Sequence, residues 1–217
     1  QIETFNQDTL RTLNLYDNVN GFNNAAGLLA DKNHFPGIDI VKFGENISII
    51  QKRTTVENIS ILDAYEKALA VFRDYYQYEV IQGADRKKME EIPEAAFREA
   101  IANALIHRVW DVDSHIRVSM LDDRVEVVSP GGLPSGITVE EYLSGKLSVL
   151  RNRNLANVFY RLGFVEIFGN GITRIKQLYA EGLVKPDFEV SENAIKIVLP
   201  LFEKDANLTG DEKVIYK

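Results

Sequence analysis

The sequence predicts an α+β fold, a two-layer α/β sandwich whose sheet is mainly antiparallel, with a smaller N-terminal α+β segment. Two stretches of alternating apolar residues predict antiparallel hairpins, one over 116–128 and one over 188–199. Helical patterns lie between these hairpins and do not alternate with single strands, which favours this class over a parallel doubly wound sheet. With 217 residues and 45% hydrophobic content, the chain can bury one large core or two modest ones.

Composition excludes several classes of function. The net charge of −7 makes the surface a poor match for nucleic acid, so DNA binding by this chain itself is the least favoured function. The absence of cysteine excludes a disulfide framework, a thiolate zinc site and a cysteine nucleophile. No transmembrane stretch or signal peptide is recognisable, so we expect a cytoplasmic protein with no membrane partner. The chain opens at Gln1 and closes in a polar run, which favours a segment of a longer protein.

The first part of the chain, residues 1–88, predicts an α+β connecting segment. Its helices and strands follow from apolar periodicity and capping asparagines, over 7–16, 25–30, 38–43, 47–50 and 59–81. Residues 85–91 form a charge run that predicts a solvated connector, so we place a boundary at residue 88. The second domain is then 89–202, and 203–217 form a polar tail.

The chain is organised around a predicted helix that follows Pro93 and ends near Arg108. One of its faces carries core residues, Phe97, Ala100, Ile101, Ala104 and Leu105. Glu99, Asn103 and His107 are four residues apart and form a second stripe among small apolar side chains. A carboxylate and an amide oxygen one turn apart can order Mg²⁺ beside phosphates. The alternative is a structural hydrogen-bond network or an ion pair near the helix N-terminus.

Two glycine-containing turns complete the candidate site. The loop from Ser129 to Gly136 ends a strand with proline and glycine and lets the backbone approach a ligand. Gly169 and Gly171 lead directly into a helix, and free amide groups at a helix N-terminus can bind a phosphate. The alternative is that the glycines of both turns serve only to let the backbone turn and bind no ligand.

Four motifs in this order resemble those of bacterial transcriptional regulators that carry a divergent GHKL (histidine-kinase-like) ATPase domain. The motifs are Arg98-Glu99-x3-Asn103-Ala104-Leu105-Ile106-His107-Arg108, Ser129-Pro130-Gly131-Gly132-Leu133-Pro134, Arg151-Asn152 and Glu166-x2-Gly169-x-Gly171-Ile172. Three upstream patterns resemble the tail of a Schlafen-type AlbA-like DNA-binding region: Leu10-Arg11-x-Leu13, Asn24-Ala25-Ala26-x-Leu28-Leu29 and Ile40-Val41-Lys42-Phe43. The resemblance implies a GHKL (Bergerat-like) sandwich that binds ATP and Mg²⁺.

The resemblance also implies a role for each motif residue. Glu99 corresponds to the acidic, catalytic residue of the N box, and Asn103 to its magnesium-coordinating asparagine. The other cofactor-binding residues are Ser129, Gly131 and Gly132 in the first glycine box beneath adenine, Arg151 and Asn152 at the start of the phosphate lid, and Gly169, Gly171 and Ile172 in the second glycine box. Ser129 stands where GHKL proteins usually have an aspartate, and the lost charge weakens base selection by about 1–2 kcal/mol.

These observations predict a nucleotide-binding sensor module of a transcriptional regulator, with DNA bound only by domains outside this chain. Hydrolysis stays open, because Glu99 could activate a water while nucleotide binding alone could order a lid. The alternative is a degenerate, non-catalytic GHKL-like scaffold or dimerisation module that links DNA-binding domains. A homodimer is compatible with either function. His107 is expected to bind a phosphate or Glu99, or to be a structural partner, and Arg108 to form a salt bridge or lie on the surface.

Overall fold

The computed structural model describes residues 6–82, 85–145, 149–165 and 171–202. The helices and strands of these residues are numbered in chain order. They are α1 (Gln7–Thr12), β1 (Tyr16–Asp17), β2 (Gly21–Phe22), α2 (Asn24–Leu29), β3 (Ile38–Phe43), β4 (Ile50–Val56), α3 (Ile61–Tyr76), β5 (Gln77–Gln82), β6 (Asp85–Glu90), α4 (Glu94–His107), β7 (Ile116–Met120), β8 (Arg124–Pro130), α5 (Val139–Ser144), α6 (Arg153–Arg161), α7 (Gly171–Leu178), β9 (Asp187–Val190) and β10 (Ala194–Pro200). Within this described part of the chain, no helix combines the length and apolar character needed to cross a membrane.

Six strands form one sheet in the order β4-β3-β7-β8-β10-β9. Every neighbouring pair is antiparallel except β3 and β7, which run parallel. Two separate two-stranded sheets pair β1 with β2 and β5 with β6. The predicted α+β fold with a mainly antiparallel sheet is confirmed, and so are the two predicted hairpins, β7 with β8 and β9 with β10.

Alternation along the strands determines which face of the sheet is covered. Ile116, Val118 and Met120 of β7 are buried, whereas Arg117 between them is exposed. Strands β8 and β10 alternate in the same way. Buried apolar residues of α3, α4, α6 and α7 join these strand residues in one core. The helices therefore form a layer on one face of the sheet.

Helix α4 lies at the centre of the helical layer. It begins directly after Pro93. Proline suits a helix start because the first amide groups of a helix have no helical acceptor, so its missing amide hydrogen costs no hydrogen bond. It contacts α3, α6 and α7 as well as β8 and β10. Its predicted apolar face is in the core, with Phe97 and Ile101 at 0% exposure. Because neighbouring elements surround the helix, Glu99 is also buried, at 7% exposure.

The N-terminal part shares the sheet and the core with the rest of the chain. Strand β3 pairs with β7, and β4 extends the sheet beyond β3. The main core includes Ile38 and Leu69 from the N-terminal part together with Ile101 and Ile197. Residue 88, where the sequence predicts a domain boundary, lies within β6.

Four predicted elements of the N-terminal part differ from the structure. The helix predicted over 7–16 ends at Thr12, and Tyr16 belongs to β1. The strand predicted over 47–50 begins instead at Ile50, and Ile47 is exposed. The helix predicted over 59–81 ends at Tyr76, and the chain continues as β5. The charge run predicted as a connector is strand β6, whose residues are all exposed. Backbone pairing between β5 and β6 satisfies the main chain while charged side chains stay in water, so the side-chain pattern alone does not reveal these strands.

Arg108, predicted to form a salt bridge or lie on the surface, is fully buried just after α4. Its guanidinium donates to the carbonyl oxygens of Pro36 (3.1 Å), Val112 (3.0 Å) and Ser114 (2.7 Å), and lies 4.2 Å from the ring centre of Trp110. Burial lowers the pKa of Arg108 to about 10, so the group stays charged at neutral pH. Pro36 shortly precedes β3 and Ser114 shortly precedes β7, so Arg108 joins the segments that begin the parallel strand pair.

Replacing Arg108 with methionine should lower the free energy of unfolding by about 3 kcal/mol or more, because three part-buried hydrogen bonds from a charged donor are lost together. Urea unfolding followed by circular dichroism measures this loss. Arg117→Met is the matched control, because Arg117 is exposed on β7 and its loss should change stability by less than about 0.5 kcal/mol. Equal stabilities of the two variants would contradict the role given to Arg108.

Candidate functional site

A cavity of about 160 Å³ lies beside α4 and is bounded by α6, α7 and the loop after β8. Six of the residues predicted from sequence line it: Glu99, Asn103, His107, Gly132, Gly171 and Ile172. They come from three separate stretches of the chain. The structure therefore brings the polar stripe of α4 together with Gly132 and Gly171, one from each glycine turn, around a partly open cavity.

Glu99 and Asn103 are bound to each other across one helical turn. The Asn103 amide nitrogen Nδ2 donates to Glu99 Oε1 at 3.0 Å and to the Glu99 carbonyl oxygen at 2.9 Å. These two acceptors fix the orientation of the amide, because a flipped Oδ1 would meet two oxygens. Within the described residues, Asn103 Oδ1 accepts no hydrogen bond. This oxygen is therefore available as a ligand.

Helix α7 begins at Gly171, directly against the Glu99–Asn103 pair. A Cβ atom on residue 171 would lie 2.7 Å from Glu99 Oε1 and closer still to Asn103 Nδ2. Both separations are shorter than van der Waals contact, so a larger residue would displace the two polar side chains. The last glycine of the predicted Gly-x-Gly turn thus has a steric role in the site.

Arg174 of α7 makes a second contact with Glu99. Its Nη1 lies 4.0 Å from Glu99 Oε2, at the outer limit of an ion pair. The Glu99 side chain is 8% exposed and that of Arg174 is 45% exposed. A pair this long with one exposed partner adds little stability, but it places a positive charge beside the buried carboxylate.

His107 lies one turn beyond Asn103 and lines the same cavity. Burial, assisted by the nearby charge of Arg151, lowers the pKa of His107 to about 4. The imidazole is therefore neutral at pH 7, with one ring nitrogen as donor and the other as acceptor. It can hydrogen-bond a ligand, but it contributes no positive charge to the cavity.

Ser129, predicted beneath adenine, is buried against α4. Its hydroxyl donates to the Ala104 carbonyl oxygen at 3.1 Å, and its lone pairs still can accept a hydrogen bond. Together with His107 and Tyr142, Ser129 lines a separate void of about 10 Å³. Such a void holds at most about one water molecule, so a base reaches Ser129 only if the surrounding side chains move.

The two glycines after β8 have structural roles. Gly131 has a φ of +97°, which residues with a side chain rarely adopt, and its amide donates to the Asn193 carbonyl oxygen at 2.8 Å. A Cβ on residue 132 would lie 2.7 Å from the Ser191 carbonyl oxygen. The positive φ therefore accounts for Gly131, and the close approach of the loop to the β9–β10 turn accounts for Gly132. Only Gly132 of the two also lines the cavity.

Arg151 and Asn152, predicted to begin a phosphate lid, are bound to backbone groups. Arg151 Nη2 donates to the Gly132 carbonyl oxygen at 2.7 Å. Asn152 Nδ2 donates to the carbonyl oxygens of Ile106 (2.6 Å) and Arg108 (3.1 Å), where the last carbonyls of α4 lack helical partners. Both residues line a neighbouring cleft of about 760 Å³ and not the main cavity.

Sequence reasoning missed two polar residues that line the cavity. They are Arg153 and Asn157, which lie four residues apart on α6. The same spacing marked Glu99 and Asn103 on α4, so a search for a second polar stripe would have found them. The predicted Gly169 lies outside the described residues.

The donor atoms fit a magnesium ion only together with phosphates. Within the part of the chain that the structure describes, no group of three or more His, Cys, Asp or Glu side chains is suited to hold a metal. Nucleotide-associated Mg²⁺ is commonly bound by one or two protein oxygens, phosphate oxygens and water. A Glu99 carboxylate next to the Asn103 amide oxygen matches that pattern.

Comparison with known proteins supports an ATPase-like domain. Residues 113–199 match the HATPase_c_4 family, described as "Putative ATP-dependent DNA helicase recG C-terminal". The matched region runs from just before β7 to the end of the sheet, and it contains Ser129, both glycine turns and Ile172. Glu99 and Asn103 precede it in the chain.

A crystal structure of the DIP2311 protein from Corynebacterium diphtheriae has a similar fold, with a TM-score of 0.77 and 29% sequence identity. The similarity covers 93% of this chain and 42% of that protein, so this chain spans less than half of its length. No curated protein matches the sequence. The family match and the shared α/β sandwich together support an ATPase-like domain in this chain.

Proposed function

We propose that the cavity beside α4 binds ATP with Mg²⁺, and that this chain is the nucleotide-binding sensor module of a transcriptional regulator. The observation that carries the proposal is the pair formed by buried Glu99 and half-buried Asn103, in a cavity that Gly132 and Gly171 also line. The ATPase-like match over residues 113–199 supports it. DNA would be bound by domains outside this chain, which is itself acidic with a net charge of −7.

In this proposal each polar group has a distinct role. Asn103 would hold the ion through Oδ1 while its Nδ2 keeps the bond to Glu99. Bound Mg²⁺ would supply charge neutralisation and orientation of the phosphates. The start of α7 at Gly171 would favour an anion through its amide groups and helix dipole. His107, being neutral, would act as a hydrogen-bonding group.

Hydrolysis of ATP would require a further role of Glu99. Its carboxylate would orient or deprotonate a water for attack on the terminal phosphate. Oε1 already accepts a hydrogen bond from Asn103 Nδ2, and Oε2 lies 4.0 Å from Arg174 Nη1. A sensor requires binding alone, because a ligand that prefers one arrangement of the surrounding segments shifts their population. We therefore propose binding as the function and hydrolysis as a weak activity of the same site.

The size of the cavity favours a second candidate, a non-catalytic scaffold or dimerisation module that links DNA-binding domains. Small-molecule sites are commonly about 300 Å³ or larger, whereas this cavity has about 160 Å³. ATP binding therefore requires the cavity to widen. The cavity could widen toward either of two neighbouring clefts, of about 760 and 770 Å³. The first cleft shares Arg153 with the cavity, and the second shares Gly132.

Calorimetry with ATP, ADP and a non-hydrolysable ATP analogue, each with and without Mg²⁺, separates the two candidates. Binding that Mg²⁺ strengthens supports the nucleotide sensor. The absence of binding by all three ligands supports the scaffold.

Asn103→Ala should weaken ATP binding in Mg²⁺ by about ten-fold or more and remove the effect of Mg²⁺, because the amide oxygen is lost. Asn20→Ala is a matched control, since this exposed amide is bonded to Asp17 far from the cavity, and it should leave affinity unchanged. Calorimetry of both variants measures the difference. An Asn103→Ala protein that still binds more tightly with Mg²⁺ would disprove the metal role.

Gly171→Ala should weaken ATP binding by about ten-fold while the far-ultraviolet circular dichroism stays native, because the added methyl displaces the Asn103 and Glu99 side chains. Gly27→Ala adds the same methyl within α2, where it would make an ordinary 3.4 Å contact with Phe35. This control should bind ATP normally and gain about 0.5–1 kcal/mol of stability. Equal ATP affinity in the two variants would rule out the steric role of Gly171.

A further inference from the structure

Two polar stripes line the same cavity from different helices. Glu99, Asn103 and His107 belong to α4, and Arg153 and Asn157 belong to α6. The α4 stripe contains an anionic carboxylate and a neutral imidazole. The α6 stripe begins with a cation, so the two sides of the cavity differ in charge.

Arg153 is the one lysine or arginine that lines the cavity among the residues the structure describes. Its side chain is exposed, and it forms no hydrogen bond or ion pair with any described residue. The neighbouring cations are already in use, because Arg151 holds the Gly132 carbonyl oxygen and Arg174 faces Glu99. Arg153 is therefore the cation whose charge is available to a ligand.

The start of α6 adds to this positive charge. Arg153 is the first residue of the helix, and the preceding Asn152 makes no side-chain bond to the first-turn amides. Asn152 instead donates to the carbonyl oxygens at the end of α4. Uncapped amides and the helix dipole favour an anion at this end of α6, where the arginine side chain also begins. Arg153 lines both the cavity and the 760 Å³ cleft, and so lies at their junction.

We propose that Arg153 binds the phosphate groups of the nucleotide and makes the site selective for phosphorylated ligands. This inference rests on the proposed binding of ATP in the cavity. The guanidinium would pair with phosphate oxygens at the mouth, opposite the Glu99–Asn103 pair that holds Mg²⁺. An arginine suits this role because its planar group can donate two parallel hydrogen bonds to one phosphate.

Calorimetry with ATP, ADP and adenosine in Mg²⁺ tests the inference on the wild-type chain and three variants. Arg153→Ala should weaken ATP binding by about ten-fold or more, ADP binding by less, and adenosine binding by less than about two-fold. Arg153→Lys should retain part of the affinity for ATP, because the charge stays while the paired hydrogen bonds are lost. Arg117→Ala removes the same charge from the opposite face of the sheet and should leave all three affinities unchanged.

The outcomes separate this inference from the proposed function. If Arg153→Ala binds ATP as tightly as Arg117→Ala, or loses ATP and adenosine to the same extent, the assignment of Arg153 is wrong while ATP binding by the site still stands. If the wild-type chain binds none of the three ligands, the proposed function fails and the inference fails with it. Selective loss of ATP in Arg153→Ala supports both.

Discussion

The candidate site depends on the close approach of α7 to α4 at Gly171. At that point the Asn103 amide is already turned toward Glu99, and no space exists for a side chain on residue 171. The contact fixes the carboxylate, directs the amide nitrogen to it and leaves the amide oxygen as a ligand. Farther along α4, Asn152 binds the carbonyl oxygens of Ile106 and Arg108, which flank His107 at the end of the stripe. The helix is thus held at both ends of its polar stripe, which preorganises the groups proposed to bind the metal and the phosphates.

Local periodicity was sufficient to predict the part of the site that lies on α4. Residues four apart share a helix face, so Glu99, Asn103 and His107 had to be neighbours in any fold that kept the helix. Both glycine turns were also identified, and Gly132 and Gly171 line the cavity as predicted. The hairpins of the main sheet followed in the same way from the two-residue alternation of buried strands.

The structural roles that the sequence did not reveal depend on partners that are distant in the chain. Arg151 and Asn152 form a polar pair in sequence, but the carbonyl groups that they bind lie 19 to 46 residues away. The Arg108 guanidinium is buried because it donates to the carbonyl oxygens of Pro36, 72 residues away, and of Val112 and Ser114, four and six residues further along the chain. The parallel pairing of β3 with β7 is likewise not encoded in either strand alone. A scaffold that binds no nucleotide would need the same residues for these structural roles. The presence of the motifs therefore does not by itself decide between the nucleotide sensor and the scaffold.

A crystal structure of this chain with Mg²⁺ and a non-hydrolysable ATP analogue tests the central claim most directly. The account predicts a widened cavity with the metal ion about 2.1 Å from Asn103 Oδ1 and also bound to phosphate oxygens. It further predicts that Gly171 stays against the Glu99–Asn103 pair. A cavity that remains closed, with the analogue absent or bound elsewhere and Asn103 far from any ion, would contradict nucleotide binding at this site.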